Sequence, residues 1–232
     1  MMTVIIPTYN EAAHIQSTIE KLREHDEAKL ITEIIVADGG STDDTVAVAK
    51  EANVKVVLSR MKGRSAQMNF GASFATEHIV YFLHADTIPP KNFSTDIAMA
   101  IEQGYDAGCF MLSFDYKHWF LKANCWFTRF DVDAIRFGDQ SLFITKALFE
   151  KMNGFCEKHI VLEDQQLIKR VKKAARFTII KKPVITSARK YIENGIYKTQ
   201  GIFFLIYGMY RLGYPQQKLV AAYQKLISQN KI

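Results

Sequence analysis

Short apolar runs and helical-period segments alternate through the first ninety residues. Val4-Ile5-Ile6 reads as a strand running into Pro7, and Ala12, Ile15, Ile19 and Leu22 then fall at i, i+3, i+7 and i+10, one face of a helix. Ile34-Ile35-Val36-Ala37 is a continuous apolar run of the kind that suits a parallel strand covered on both faces. Ser41-Thr42-Asp43-Asp44 has the form of a capping box, a serine followed three residues later by an acid, and predicts a helix through Val46 and Ala49. Val54 to Leu58 predicts a third strand, Ser65 to Ala75 a third helix and Ile79 to Leu83 a fourth strand. Strand and helix alternating in this way predict an α/β fold, a parallel sheet with helices on both faces and right-handed connections.

After Pro89-Pro90 the rhythm loosens. Phe93, Ile97 and Ile101 predict a helix over 92–103, and Ala107 to Phe114 reads as a strand. Trp119, Phe120, Ala123, Phe127 and Phe130 then recur at helical spacing. Such an aromatic stripe is core, a subunit contact in a homodimer, or a contact with a membrane surface. Glu163-Asp164 opens a helix whose Leu167, Ile168, Val171 and Ala174 share one face. No linker, repeat or low-complexity segment interrupts the chain, so residues 1–232 read as one domain.

Composition adds less than pattern does. A chain of 232 residues buries roughly 70% of the surface its unfolded form exposes, enough for a core without disulfides or a structural metal. Cys109, Cys125 and Cys156 have no C-x-x-C spacing and read as small buried apolar residues. The net charge of +6 raises a nucleic-acid partner. The excess, however, sits in one acid-free run from Lys169 to Lys190, and the rest of the chain is net acidic. That argues against a nucleic acid, which asks for spread positive charge. A solvated helix face followed by a strand, a local anion site, or an acidic membrane surface each fits the run. The amino terminus reads as a strand and not as a signal peptide, and Gly201–Tyr210 is too short to span a bilayer. The expected location is cytoplasmic, or peripheral at the inner face of the membrane.

Ligands of an open parallel sheet bind at the carboxyl ends of its strands. Three polar clusters follow strands here: Pro7-Thr8-Tyr9-Asn10-Glu11, Asp38-Gly39-Gly40-Ser41-Thr42-Asp43 and His84-Ala85-Asp86-Thr87. None is a G-x-G-x-x-G or a P-loop, which removes support for a dinucleotide dehydrogenase or an ATP-driven motor. Asp38 before two glycines is either a turn aspartate or a carboxylate that meets a nucleobase or ribose. Asp86 is either a turn aspartate or the single carboxylate that a divalent cation needs when phosphate and water complete its shell. His84, two residues earlier on an extended chain, points to the same side. Glu163 and Asp164 suit a helix N-terminus, and the helix dipole favours an ionised Asp164, the state a base requires.

Taken in order, VIIPTYNE, IIVADGGSTDDT, HADT in the place of a D-x-D, then GF followed by LEDQQL resemble the family 2 glycosyltransferases of the GT-A fold. The stretches SRMKGRSAQMNFGA, RFGDQSLF, TSARKY and LGYPQQKLVAAY resemble a small compact subset, the arsenosugar-biosynthesis-type glycosyltransferases. The resemblance implies a single GT-A domain, with a nucleotide-binding half over 1–90 and an acceptor-side half over 91–232. It implies inverting transfer of one hexose from a nucleoside-diphosphate sugar to an acceptor hydroxyl. Pro7, Thr8, Tyr9 and Glu11, with Asp38 and Gly39, would hold the nucleoside. Arg60, Arg64 and Gln67 would grip the diphosphate or base, with His84 and Arg189 as further donors. Asp86 would bind Mg2+ or Mn2+, and Asp164, beside Glu163, would be the general base. Arg170 is a second candidate for an anionic group.

Two departures stand out. His84 replaces the first acid of D-x-D, and the Q-x-x-R-W of processive members is missing as such, Gln165-Gln166 being followed by Lys169-Arg170-Val171. Transfer of a single sugar is therefore expected. The rival readings are an inactive relative that binds sugar nucleotides or docks on membranes, and a sugar-nucleotide pyrophosphorylase, whose glycine-rich loop PTYNE does not provide.

Overall fold

The computed structural model describes residues 1–133 and 138–228. The first half runs β1 (Met2–Thr8), α1 (Ala12–His25), β2 (Ile31–Asp38), α2 (Thr45–Glu51), β3 (Lys55–Leu58), α3 (Arg64–Ser73) and β4 (Ile79–Phe82). A two-residue β5 (Thr87–Ile88), α4 (Phe93–Glu102) and β6 (Ala107–Phe114) follow. Next come α5 (Trp119–Phe127), β7 (Leu142–Thr145), α6 (Lys146–Lys151), α7 (Glu163–Ala174) and β8 (Phe177–Thr186). The chain closes with α8 (Arg189–Asn194), α9 (Ile196–Arg211) and α10 (Gln216–Leu226).

All eight strands form one sheet, in the order β3-β2-β1-β4-β7-β6-β8-β5. The strands from β3 to β4 are parallel, as the apolar runs predict. β7 enters antiparallel to β4 and β6, β6 pairs parallel with β8, and β5 closes the edge antiparallel to β8. The sheet is therefore mixed though mainly parallel, flanked by helices.

Every residue of β1 is buried, and its alternation divides the core. Met2, Val4 and Ile6 pack with Ile15, Ile19 and Leu22 of α1, while Ile5 on the opposite face packs with Ala37, Met68 and Ala72. Gly71 lets α3 lie close to the sheet, since a Cβ there would stand 2.7 Å from Ile5 Cγ2. A smaller cluster under α9 and α10 joins Ile202, Ile206, Leu219 and Tyr223.

Two local expectations are corrected. Ser41 does not cap the second helix, because its hydroxyl donates to Asp38 Oδ1 at 2.5 Å; Asp43 accepts from the Thr45 backbone N–H at 3.0 Å and the helix starts there. The aromatic stripe of 119–130 is not core. Helix α5 buries Leu121 and Cys125 and leaves Trp119, Trp126 and Phe127 exposed, with Phe130 exposed just past its end. The first two residues of RFGDQSLF, Arg136 and Phe137, lie outside the described residues.

Candidate active site

The loops after β1 and β2 are knitted to each other. Asp38, 1% exposed, accepts from Thr8 Oγ1 at 3.1 Å, from the Gly40 and Ser41 backbone N–H groups at 2.9 and 2.8 Å, and from the Ser41 hydroxyl. Its four acceptor positions are thus taken by its own surroundings. Glu11 N donates to Thr45 Oγ1 at 2.8 Å, and Asn10 Oδ1 accepts from Thr42 N at 2.8 Å. Gln67 is buried and donates to Thr8 O at 2.6 Å, so it braces the loop from beneath. A Cβ at Gly39 would come within 2.3 Å of Gln67 Nε2 and displace the amide from Thr8 O. Pro7 is buried in β1 and Tyr9 is half-buried just beyond it. The structure gives Asp38 and Gln67 the work of holding loops. Arg60 is exposed in the connection after β3 and does not line the cavity described next.

Beside these loops lies a cavity of about 490 Å3. His84 and Asp86 reach it from the end of β4, Arg64 from the start of α3, Glu163, Asp164 and Gln165 from the first turn of α7, and Arg189 and Lys190 from α8. Leu112, Phe114, Val161 and Phe203 give it an apolar wall. The titratable groups are arranged as pairs. Arg189 forks onto Glu11 with bonds of 2.8 and 3.1 Å and meets Asp86 Oδ2 at 3.1 Å. Arg64 Nη1 lies 3.3 Å from Glu163 Oε1. His84 Nδ1 lies 3.2 Å from Asp139 Oδ1. Although burial opposes it, the His84 hydrogen bond, with Lys190 and Arg64 nearby, holds Asp139 well below the usual carboxylate range.

Asp164 differs from all of these. It is 7% exposed, lines the cavity and has no hydrogen-bond or ion-pair partner among the described residues. The helix dipole does not keep it readily ionised, contrary to expectation. Burial, and then the neighbouring Glu163, push it up to about 7, against weaker opposition from His84 and Arg64. A carboxyl titrating near neutrality matches what a general base needs. The segment is also strained just upstream, where Leu162 holds φ at +62°, a region bulky residues avoid.

The model for glycosyl transferase family 2 matches residues 3–152. The chain belongs to that family. This is an inverting family, in line with the resemblance carried by the motifs. Curated relatives include the uncharacterized glycosyltransferase YibD of Escherichia coli, 32% identical over 111 residues, which cover 45% of this chain and 32% of that protein. The undecaprenyl-phosphate 4-deoxy-4-formamido-L-arabinose transferase of Aeromonas hydrophila is 30% identical over 130 residues, 53% of this chain and 40% of that protein. The chain thus spans about a third of the length of the curated relatives it matches. Among solved structures, the mannosyltransferase PcManGT of Pyrobaculum calidifontis, in complex with GDP-Man and Mn2+, superposes with a TM-score of 0.71 at 18% identity, over 97% of this chain and 63% of that one. Glucosyl-3-phosphoglycerate synthase of Mycobacterium tuberculosis, with Mn2+ and UDP, gives 0.66 at 18% identity, over 93% and 81%. These likenesses fix the GT-A fold.

In this family 2 member, no group of three or more His, Cys, Asp or Glu gathers to hold a metal among the described residues. A metal held by protein alone does not fit. Asp86 alone, on the cavity wall, fits Mg2+ or Mn2+ that keeps the rest of its shell for diphosphate and water.

Three wall residues escape sequence reading. Asp139 lies within the quoted RFGDQSLF, yet only the fold shows that it faces His84. Lys190 follows Arg189 and sets its ammonium over Phe203 and Tyr223, at 6.0 and 5.5 Å. Gln165, 1% exposed, has neither amide atom hydrogen-bonded. Arg170, by contrast, is not an anion donor. Its guanidinium donates to Met152 O and Gly154 O and holds the turn before α7.

Proposed function

We propose that this chain moves one hexose from a nucleoside-diphosphate sugar to an acceptor hydroxyl with inversion, Asp164 being the general base. The observation that carries the reading is Asp164 itself, the unpartnered carboxyl on the cavity wall, with its affinity for a proton raised by burial. Arg64 holds Glu163 aside, so Asp164 alone of the two acids is left to receive the acceptor proton. As that proton passes to the carboxylate, the acceptor oxygen bonds to the anomeric carbon. The bond from that carbon to the diphosphate oxygen breaks on the opposite face, and its electron pair leaves with the diphosphate.

Lys190, in the cavity and in no ion pair among the described residues, and Arg64 supply positive charge toward the departing group. Arg189 acts differently from the diphosphate donor expected of it. It is engaged by Glu11 and Asp86 and serves to position both. Bound at Asp86, Mg2+ or Mn2+ would neutralise charge that develops on the leaving diphosphate. The orphaned amide of Gln165, one residue from the base, is suited to orient the acceptor, offering one donor and one acceptor to a hydroxyl.

The acceptor is not read from the arsenosugar-type resemblance, whose later segments fall beyond the family match. The test is a panel of nucleoside-diphosphate sugars with Asp164→Asn beside the natural chain. Loss of transfer with nucleotide-induced thermal stabilisation retained supports the assignment; transfer at the natural rate refutes it.

A further inference from the structure

The exposed apolar residues of the second half are not scattered. Helix α5 turns Leu121 and Cys125 inward and leaves Trp119, Trp126 and Phe127 in solvent, Trp119 at 68% exposure. Helix α9 buries Thr199, Ile202 and Ile206 and leaves Tyr197, Phe204 and Leu205 exposed, Phe204 at 62%, with Leu212 just past its end. Positions 197, 204, 205 and 212 recur at helical spacing and form one stripe. The two helices are neighbours. The Tyr197 ring lies 4.9 Å from Phe120 and 6.5 Å from Trp119, and Asn124 Nδ2 donates to Gln200 Oε1 at 3.2 Å. Single exposed apolar residues are ordinary on a soluble surface; an aromatic-rich face across two helices is not.

Two further observations indicate what covers it. Ile160, Phe127 and Phe204 are exposed and also line the cavity, so the face borders the cavity. The charge on the two segments is of one sign. Residues 116–130 hold Lys117, Lys122 and Arg129 and no acid, and from residue 194 onward there is no Asp or Glu at all, with Lys198 and Arg211 on α9. A second copy of this chain would bring like charges together. Trp and Tyr with flanking Lys and Arg are the residue types that settle at the headgroup level of an anionic bilayer, rings in the interface and cations on the phosphates.

We propose that the α5–α9 face docks on an anionic phospholipid surface and that the acceptor is a membrane-borne amphiphile, entering the cavity from that side with its hydroxyl toward Asp164. The acceptor half rests on the transferase reading of the cavity. Leu112, Phe114 and Phe203 would receive the apolar part of the acceptor.

The experiment is co-sedimentation of the full chain with phosphatidylcholine vesicles, with and without phosphatidylglycerol. Binding is expected only with phosphatidylglycerol, and is expected to weaken at least roughly tenfold as sodium chloride rises to about 1 M, where the screening length falls to about 3 Å. The combined variant Trp119→Ser, Trp126→Ser, Leu205→Ser, all outside the cavity wall, should lose binding by a similar factor while nucleoside diphosphates still raise its Tm. No sedimentation of the natural chain at low salt overturns the proposal. So does a dimer that the variant dissociates, which would assign the face to a second copy. Failure of the transferase reading shows separately, as the absence of any nucleotide-induced Tm shift while vesicle binding persists.

Discussion

The loops after β1 and β2 and the wall built by α7 and α8 meet around one site, yet they treat their polar groups in opposite ways. In the loops and beneath them, the buried polar groups are spent on neighbours: Asp38 on Thr8, Gly40 and Ser41, Gln67 on Thr8, and Asp43 on Thr45. On the wall, Asp164 and Gln165 have no hydrogen-bond or ion-pair partners among the described residues, and Lys190 rests over rings. Burying a polar group unpaired costs free energy, so a fold keeps such groups only where something else is gained. The loops are a rigid frame, and the wall carries the chemistry.

The largest effect should come from the wall. Asp164→Asn should lower transfer by roughly 10²- to 10⁴-fold, the range a general base supplies. The same substitution should stabilise the protein in alkaline solution. A carboxyl raised to about 7 on folding binds its proton more tightly folded than unfolded, so between its ordinary pKa and about 7 stability falls as pH rises. Asn removes that loss. Tm of the variant should exceed that of the natural chain at pH 8 and converge with it only below about pH 4, where the carboxyl is protonated in both the folded and the unfolded chain. Transfer by the natural chain should rise through about pH 7, since the ionised carboxylate is the active form. A Tm at pH 8 below that of the natural chain would place Asp164 with the frame.

Arg189 sharpens the contrast from the other side, because it joins the two regions. Arg189→Ala leaves Glu11 and Asp86 partly buried beside each other without their cation, and should cost about 3 kcal/mol of stability, read by denaturant unfolding. Arg189→Lys should recover only part, since an ammonium cannot fork onto Glu11 while meeting Asp86. Full recovery by Lys would mean that charge alone is needed there and that the fork geometry is incidental.

Legibility in the sequence follows the same division. β1, β2 and β4 and the face of α1 were readable because burial on both sides of a parallel sheet writes itself as continuous apolar runs and a 3.6-residue period. β6 was read to its observed bounds for the same reason. Arg189 was read as a site residue, but its partners were not, because Glu11 lies 178 residues away and nothing local encodes that contact. The ionisation of Asp164 was read the wrong way because the dipole is local and visible, while burial and Glu163, which outweigh it, depend on packing. Asp139 and Lys190 gain meaning only when β4 and α8 bring His84 and the cavity beside them.

A smaller effect is expected in the frame. Asp38→Asn replaces two acceptor oxygens with one acceptor and one donor, so the hydrogen bonds from Gly40, Ser41 and Thr8 can no longer all be kept. The loss should be about 1–3 kcal/mol, seen as a lower Tm. Nucleotide affinity should fall only as far as the loop moves. An unchanged Tm with lost nucleotide binding would transfer Asp38 from the frame to the ligand.

Gln165→Leu has the smallest expected effect on stability and the sharpest meaning. A structural amide bonded inside the fold would cost stability when removed. An amide left without partners costs nothing to remove and relieves its own desolvation, so Tm should hold or rise slightly. If the amide waits for the acceptor, KM for that substrate should rise about tenfold, the equivalent of one hydrogen bond at 1.4 kcal/mol, with nucleotide binding unchanged. Gln165→Glu keeps the shape and one acceptor oxygen but adds a charge beside Asp164, which should raise the base further and move the pH dependence of transfer upward. A Tm that falls on Gln165→Leu with KM unmoved would return Gln165 to the frame and leave Asp164 as the wall's one unspent group in the first turn of α7.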